Sequence, residues 1–325
     1  MRLSMPLLST LLASALLAAS PAPAAPAEPG LQPAPPVPLL WKVSDADNSV
    51  YLLGSFHMLV PGDYPLSADV DAAFADAESL VFETSPAEMS SPTLALEMGQ
   101  AALRTDGTRL DSELPDALRE RLRAWGEANA GALQAHGMAP AMLQAFEPWF
   151  VAITVGMVDM VDAGFSPELG LDLHFAGAAA AAGKPATGLE TAQQQIAFMD
   201  RMDRAEQLQY LSESLDAVSG DHAELEQLHA AWRAGDADAV WTLAGAEMQA
   251  RYPKLYQRIN VQRNDAWLPL LAARLQAPGE DDTLVVVGAL HLLGEDGLVA
   301  KLRARGYDVE RVCGACDAAM RTAGG

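Results

Sequence analysis

Val285-Val286-Val287-Gly288-Ala289-Leu290-His291 is a run of β-branched residues that stops at a glycine and delivers a histidine three positions later. Three successive valines favour a strand buried on both faces, as a parallel strand under helices must be. A chain leaving such a strand has to turn. Glycine permits the turn and a close backbone approach, so the imidazole that follows is aimed. Near the other end of the chain, Tyr51-Leu52-Leu53-Gly54-Ser55-Phe56-His57 repeats the arrangement, while Leu80-Val81-Phe82 delivers Glu83 and Thr187-Gly188-Leu189 delivers Glu190. In an open α/β sheet, ligands bind in the crevice outside the carboxyl ends of the strands. Two imidazoles and two carboxylates are therefore expected at one sheet edge. Spacing alone is weak evidence, because six His and 25 Gly in 325 positions give roughly half a chance instance of Gly-x-x-His. The placement after β-type runs is what counts, and His136, His222 and His229 lack it.

The remaining chain reads as α/β. Trp41 to Val43 and Ser49 to Leu53 flank Asp45-Ala46-Asp47-Asn48, a turn-forming tetrapeptide, and predict a hairpin. Ser79 to Phe82, Ala186 to Leu189, Thr283 to Val287 and Tyr307 to Val312 predict further strands. Helical patterns cover Ala68 to Ala77, Pro92 to Arg104, Pro115 to Asn129, Pro140 to Val161, Thr191 to Leu215, Asp221 to Ala234 and Leu255 to Gln276. The expected fold is a central mixed, largely parallel sheet flanked by helices, with a large helical insertion (about 90–280) between the N- and C-terminal strands. Phe150 to Val161 is too short, and too interrupted by Asp159, to span a bilayer.

Charge and the N-terminus bound the function. With 43 acidic against 21 basic side chains, the net charge of -22 has the wrong sign for a nucleic-acid binder or a protein docking on anionic lipid. Residues 1–25 run from Arg2 through an apolar stretch to Ala22-Pro23-Ala24, the pattern of a secretory signal peptide. Residues 26–38 are rich in Pro and Ala and predict an extended tether, leaving 39–325 as a single α/β domain. The expected location is periplasmic or secreted, with no stable membrane span. In such a compartment Cys313-Gly314-Ala315-Cys316, lying after the last strand, reads as a local disulfide; a redox site would open a helix at the first βα junction of its domain.

Two neutral imidazoles with one or two carboxylates suit a divalent ion, and zinc, manganese, iron or cobalt would each be accepted by such a set. Such an ion lowers the pKa of bound water and polarises a carbonyl, and a free carboxylate could act as general base. Neither the H-E-x-x-H pattern of helical zinc proteases nor a G-x-S-x-G elbow is present.

At these residues the sequence resembles the TraB/PrgY/GumN group, to which the animal Tiki metalloproteases are related. The resemblance runs through Leu40-Trp41-Lys42-Val43, the first Gly-x-x-His stretch, Glu83, Gly170-Leu171-Asp172, Gly188-Leu189-Glu190-Thr191 with Gln195, Arg263-Asn264, and Gly288-Ala289-Leu290-His291-Leu292 with Gly294. The first motif here reads Gly-Ser-Phe-His where Gly-Thr-Ile-His is more usual. The resemblance implies a fold similar to the erythromycin-esterase and ChaN-like superfamily. For the Tiki branch it implies a metal-dependent peptidase in which His57, His291 and Glu83 matter. The expected metal set is thus His57, His291 and Glu83, and the expected catalytic set is Glu83, Glu190 and Arg263. Gly54, Gly288, Asp172 and Asn264 would support them. Arg263 could hold a carboxylate or an oxyanion, and Asp172 could stand behind a histidine; by themselves they read as a solvated helix face and a helix-capping acid. The expected activity is peptide hydrolysis on a peptide or protein substrate. The alternative is a regulatory protein that binds metal, haem or peptide without turnover.

Overall fold

The computed structural model describes residues 34–218, 222–314 and 316. The signal peptide expected at 1–25 and most of the tether at 26–38 lie outside the described residues. Among the described residues six strands form one mixed sheet: β1 (Leu40–Ser44), β2 (Ser49–Ser55), β3 (Ser79–Thr84), β4 (Ala186–Glu190), β5 (Thr283–Gly288) and β6 (Asp308–Arg311), in the order β4-β3-β5-β2-β1-β6. β4, β3, β5 and β2 are mutually parallel, and β1 pairs antiparallel with both β2 and β6. The hairpin turn forms as its residues dictate, Asp45 Oδ1 accepting the Asp47 amide.

The register sets which residues meet at the strand ends. Ser55 stands opposite Gly288, and Thr84 opposite Glu190, so the four parallel strands end along one edge. Between them β2 and β5 are buried along their whole length, as continuous apolar strands covered on both faces should be. The Leu171–Ala182 helix ends at Gly183, whose φ of 67° closes it in the left-handed conformation before β4.

The chain divides into two compact units. One comprises Ala87–Ser166 and Ala192–Leu225. It is helical, and its Pro148–Asp162 helix is buried almost all round, packing on the Arg204–Ala217 helix. The other holds the sheet, Pro167–Thr191 and the chain from Glu226 onward. No helix among the described residues is long and apolar enough to cross a membrane.

Three expectations need correction. The helix expected over Pro140 to Val161 is a 3-10 turn, Pro140–Ala145, and a separate helix from Pro148; Glu147, preceding a proline, is extended with ψ 150°. Thr191 to Leu215 is likewise two helices, Ala192–Asp200 and Arg204–Ala217. The second starts at a reciprocal cap in which Asp203 Oδ1 accepts the Glu206 amide and Glu206 Oε2 accepts the Asp203 amide. Residues 34–38 are no free tether: Pro36 and Pro38 are buried, Arg233 donates to the Ala34 carbonyl, and the Val37 amide donates to the Arg233 carbonyl.

Candidate functional site

The loops after β2 and β5 and the ends of β3 and β4 bring His57, Glu83, Glu190 and His291 into one buried cluster, with Arg263 from the Gln262–Leu275 helix at its centre. Arg263 Nη2 donates to Glu83 Oε2 at 2.5 Å and to Glu190 Oε1 at 2.5 Å, and Nε donates to Glu190 Oε1 at 3.0 Å. Glu190 Oε2 accepts from Trp267 Nε1 at 3.2 Å. Glu190 is thus tied down from two sides and balances the charge of Arg263.

Each histidine is anchored through Nδ1. His57 Nδ1 donates to Asp172 Oδ2 at 2.7 Å, and the same oxygen accepts from Ser55 Oγ at 2.6 Å. His291 Nδ1 lies 2.8 Å from Asn264 Oδ1, while Asn264 Nδ2 donates to the Asp296 and His291 carbonyls, which fixes the amide orientation and hence the tautomer. Both Nε2 atoms then face Glu83 Oε1, each at 3.8 Å. That oxygen also accepts the Gly288 amide at 2.8 Å.

The surroundings push the pKa values of the two imidazoles in opposite directions. Burial alone would lower the pKa of His57, but Asp172 and Glu83 outweigh it, against the opposing charge of Arg263, and raise it to about 9. His291 is driven well below the ordinary value, by burial first and then by the positive charges of Arg263 and His57. The hydrogen bonds agree: Arg263 Nη1 donates to His291 Nε2 at 3.0 Å, which requires that nitrogen to be unprotonated. Asp172 is held below its usual range because His57 and Ser55 overcome the cost of its burial.

Glycines set the spacing. A Cβ at Gly288 would stand 2.9 Å from His57 Nε2 and 3.2 Å from Glu83 Oε1, so glycine keeps a methyl's worth of room between the two groups. A Cβ at Gly170 would come within 2.0 Å of the His57 carbonyl oxygen, where the start of the Leu171–Ala182 helix docks on the loop and brings Asp172 to its histidine. Because backbone is the obstacle, Gly170→Ala should cost at least about 2 kcal/mol of stability. Urea unfolding of the purified variant checks this, and an unchanged midpoint would show that the close approach is not obligatory.

Sequence reasoning missed Ser55, Gly170 as a contact, Trp232 and Trp267. Trp267 was within reach: it lies one helical turn beyond Arg263 and places its ring 4.7 Å from the guanidinium and 4.5 Å from the His291 ring. Trp232 Nε1 donates to the Gly54 carbonyl at 3.0 Å from far along the chain, and no local pattern announces it. Phe56 rests on the His229 and Trp232 rings beneath the first histidine loop. Cys313 and Cys316 are joined by a disulfide.

As arranged, the donors do not fit a metal ion. Arg263 takes the His291 lone pair and Glu83 Oε2, and no group of three or more His, Cys, Asp or Glu among the described residues is disposed to hold one.

A parallel α/β edge carrying two Gly-x-x-His loops, two glutamates and a buried arginine defines the class, and residues 39–311 match the model of the TraB/PrgY/gumN family. The chain belongs to that family. It is 27% identical over 255 residues to the uncharacterized protein YbaP of Escherichia coli strain K12 and equally to that of Shigella flexneri, alignments that span 78% of this chain and 87% of each relative. No solved structure matches it.

Proposed function

We propose that the protein is an exported hydrolase of peptide bonds whose reacting group is His57. One observation carries the reading: Asp172 fixes the His57 tautomer, and the Nε2 so presented faces Glu83 Oε1 across the room kept by Gly288. In that position an imidazole can take a proton from water while Glu83 orients the water by accepting its other hydrogen. Asp172 then stabilises the imidazolium that forms, as the acid of an Asp-His pair does. Negative charge developing on the substrate carbonyl meets a centre whose positive charges are that imidazolium and Arg263.

The pH dependence follows from the sign of the His57 shift. With a folded value of about 9, the neutral base is roughly one-hundredth populated at pH 7, so kcat/KM should rise about tenfold per unit from pH 7 and level off near pH 9. A rate that instead falls over this range would assign His57 as an acid. Because the pKa is raised above the ordinary 6.5, the pair's contribution to stability is complete below that value and is lost as pH rises through about 9. Gly288→Ala sets a methyl group against the tips of the His57 and Glu83 side chains and not against backbone, so it should cut turnover about a hundredfold or more while costing less stability than Gly170→Ala. Parallel rate and urea measurements check this.

A metal-dependent form of the reaction is the second reading. The Nδ1 anchoring of both imidazoles favours it, since both Nε2 atoms are thereby turned toward one carboxylate oxygen. His57, His291 and Glu83 would hold the ion only with Arg263 shifted off the His291 lone pair, and the ion would supply a water of lowered pKa. The test is the mature protein incubated with an unbiased peptide library, with and without chelator, beside His57→Ala. New termini that vanish in the variant support hydrolysis; peptides retained but uncut, or the same products from both proteins, overturn it. Loss on chelation with recovery on adding manganese or cobalt selects the metal-dependent form.

The disulfide and the signal-like N-terminus support export. We also read the helical stretch of about 90–280 as an insertion into one α/β domain, supported by the adjacency of β3 and β4 on either side of its first part.

A further inference from the structure

The cluster at the sheet edge already contains a cation. Arg263 is almost wholly buried, and its guanidinium meets Glu83, Glu190 and the His291 lone pair at 3.0 Å or less. An ion coordinated by His57, His291 and Glu83 would need the His291 lone pair that Arg263 Nη1 takes, and would stand beside a guanidinium that burial does not allow water to screen. We propose that Arg263 and a divalent cation are alternative occupants of one charge position, so that metal binds only as the guanidinium withdraws. Arg263 is then a positioning residue that sets the metal affinity of the site. The inference concerns the centre read above as hydrolytic, yet it stands on ion binding and not on turnover.

Trp267 reports the event without any substrate. Its ring covers the guanidinium and touches His291, and its Nε1 donates to Glu190, so displacement of Arg263 changes its surroundings on three sides.

The experiment uses the full mature chain, stripped with chelator and dialysed, and titrates cobalt ion into wild type, Arg263→Lys and Arg263→Gln. Bound metal is counted by equilibrium dialysis, and cobalt absorption and tryptophan fluorescence are followed together. A like charge at such range weakens ion binding by factors of ten to a thousand, so Arg263→Gln, which removes it, should bind one equivalent at least about a hundredfold more tightly than wild type. Arg263→Lys, which keeps the charge, should stay near wild type. Adding His57→Ala to Arg263→Gln should abolish the gain. Because the glutamine variant loses a buried ion pair, Arg263→Gln with Glu190→Gln serves beside it: it removes the surplus negative charge and keeps all three ligands. Wild type binding as tightly as these variants, or no binding by either folded variant, overturns the proposal. Peptide cleavage by the wild type is scored separately, so failure here leaves the hydrolase reading standing, and the reverse holds.

Discussion

If the proposed hydrolysis runs through His57, Asp172→Asn should lower kcat by about three to four orders of magnitude while leaving the fold intact. The carboxylate oxygen 2.7 Å from His57 Nδ1 and 2.6 Å from Ser55 Oγ is what makes the imidazole carry its proton on Nδ1 and present a lone pair at Nε2. An amide of the same shape can turn its NH2 toward Nδ1 instead, which puts the proton on Nε2 and disarms the base. The same change removes the largest influence holding the His57 pKa up to about 9, so the surviving activity should level off at a lower pH than in wild type. Cleavage of a peptide returned by the library, measured across pH beside an NMR titration of the His57 ring, tests both statements. An Asp172→Asn protein with undiminished turnover would remove His57 from the chemistry.

The second large effect is on stability. Arg263→Ala should cost about 3–5 kcal/mol, because it leaves two acids buried without their counter-charge. Glu83 and Glu190 side chains are only 4% and 5% exposed, so water cannot replace the guanidinium. Urea unfolding at neutral pH measures the loss, and the gap from wild type should shrink as pH falls, since protonated acids need no counter-charge. Adding Glu190→Gln to Arg263→Ala should restore part of it, the signature of direct coupling. If the single variant were as stable as wild type, the ion cluster would not hold the strand ends together.

Much of the edge was legible because strand ends have local signatures. Val285 to Val287 before Gly288, and Tyr51 to Leu53 before Gly54, declare buried strands by composition and the turn by its glycine. Helix ends were less legible. Pro148 and the Asp203/Glu206 cap break two apolar patterns that periodicity alone runs together. Arg263 reads locally as part of a charge-laced helix face, and only packing shows it to be the most buried cation of the site. Helical phase explains the difference: a π-helical turn at Gln257–Val261 precedes its helix, and Asn260, Arg263, Asn264 and Trp267 emerge on one side.

By itself the sequence determined which residues end the parallel strands, and therefore which side chains could meet, since β-branched runs and glycines act within a few residues of themselves. Only the tertiary structure decided what those side chains do to one another. Asp172 reaches His57 across more than a hundred positions, and Arg263 reaches Glu83 across still more. The charge state of an imidazole depends on burial and on neighbours within a few ångströms. It took the folded chain to make one histidine basic, the other nearly inert to protons, and a guanidinium the cation between them.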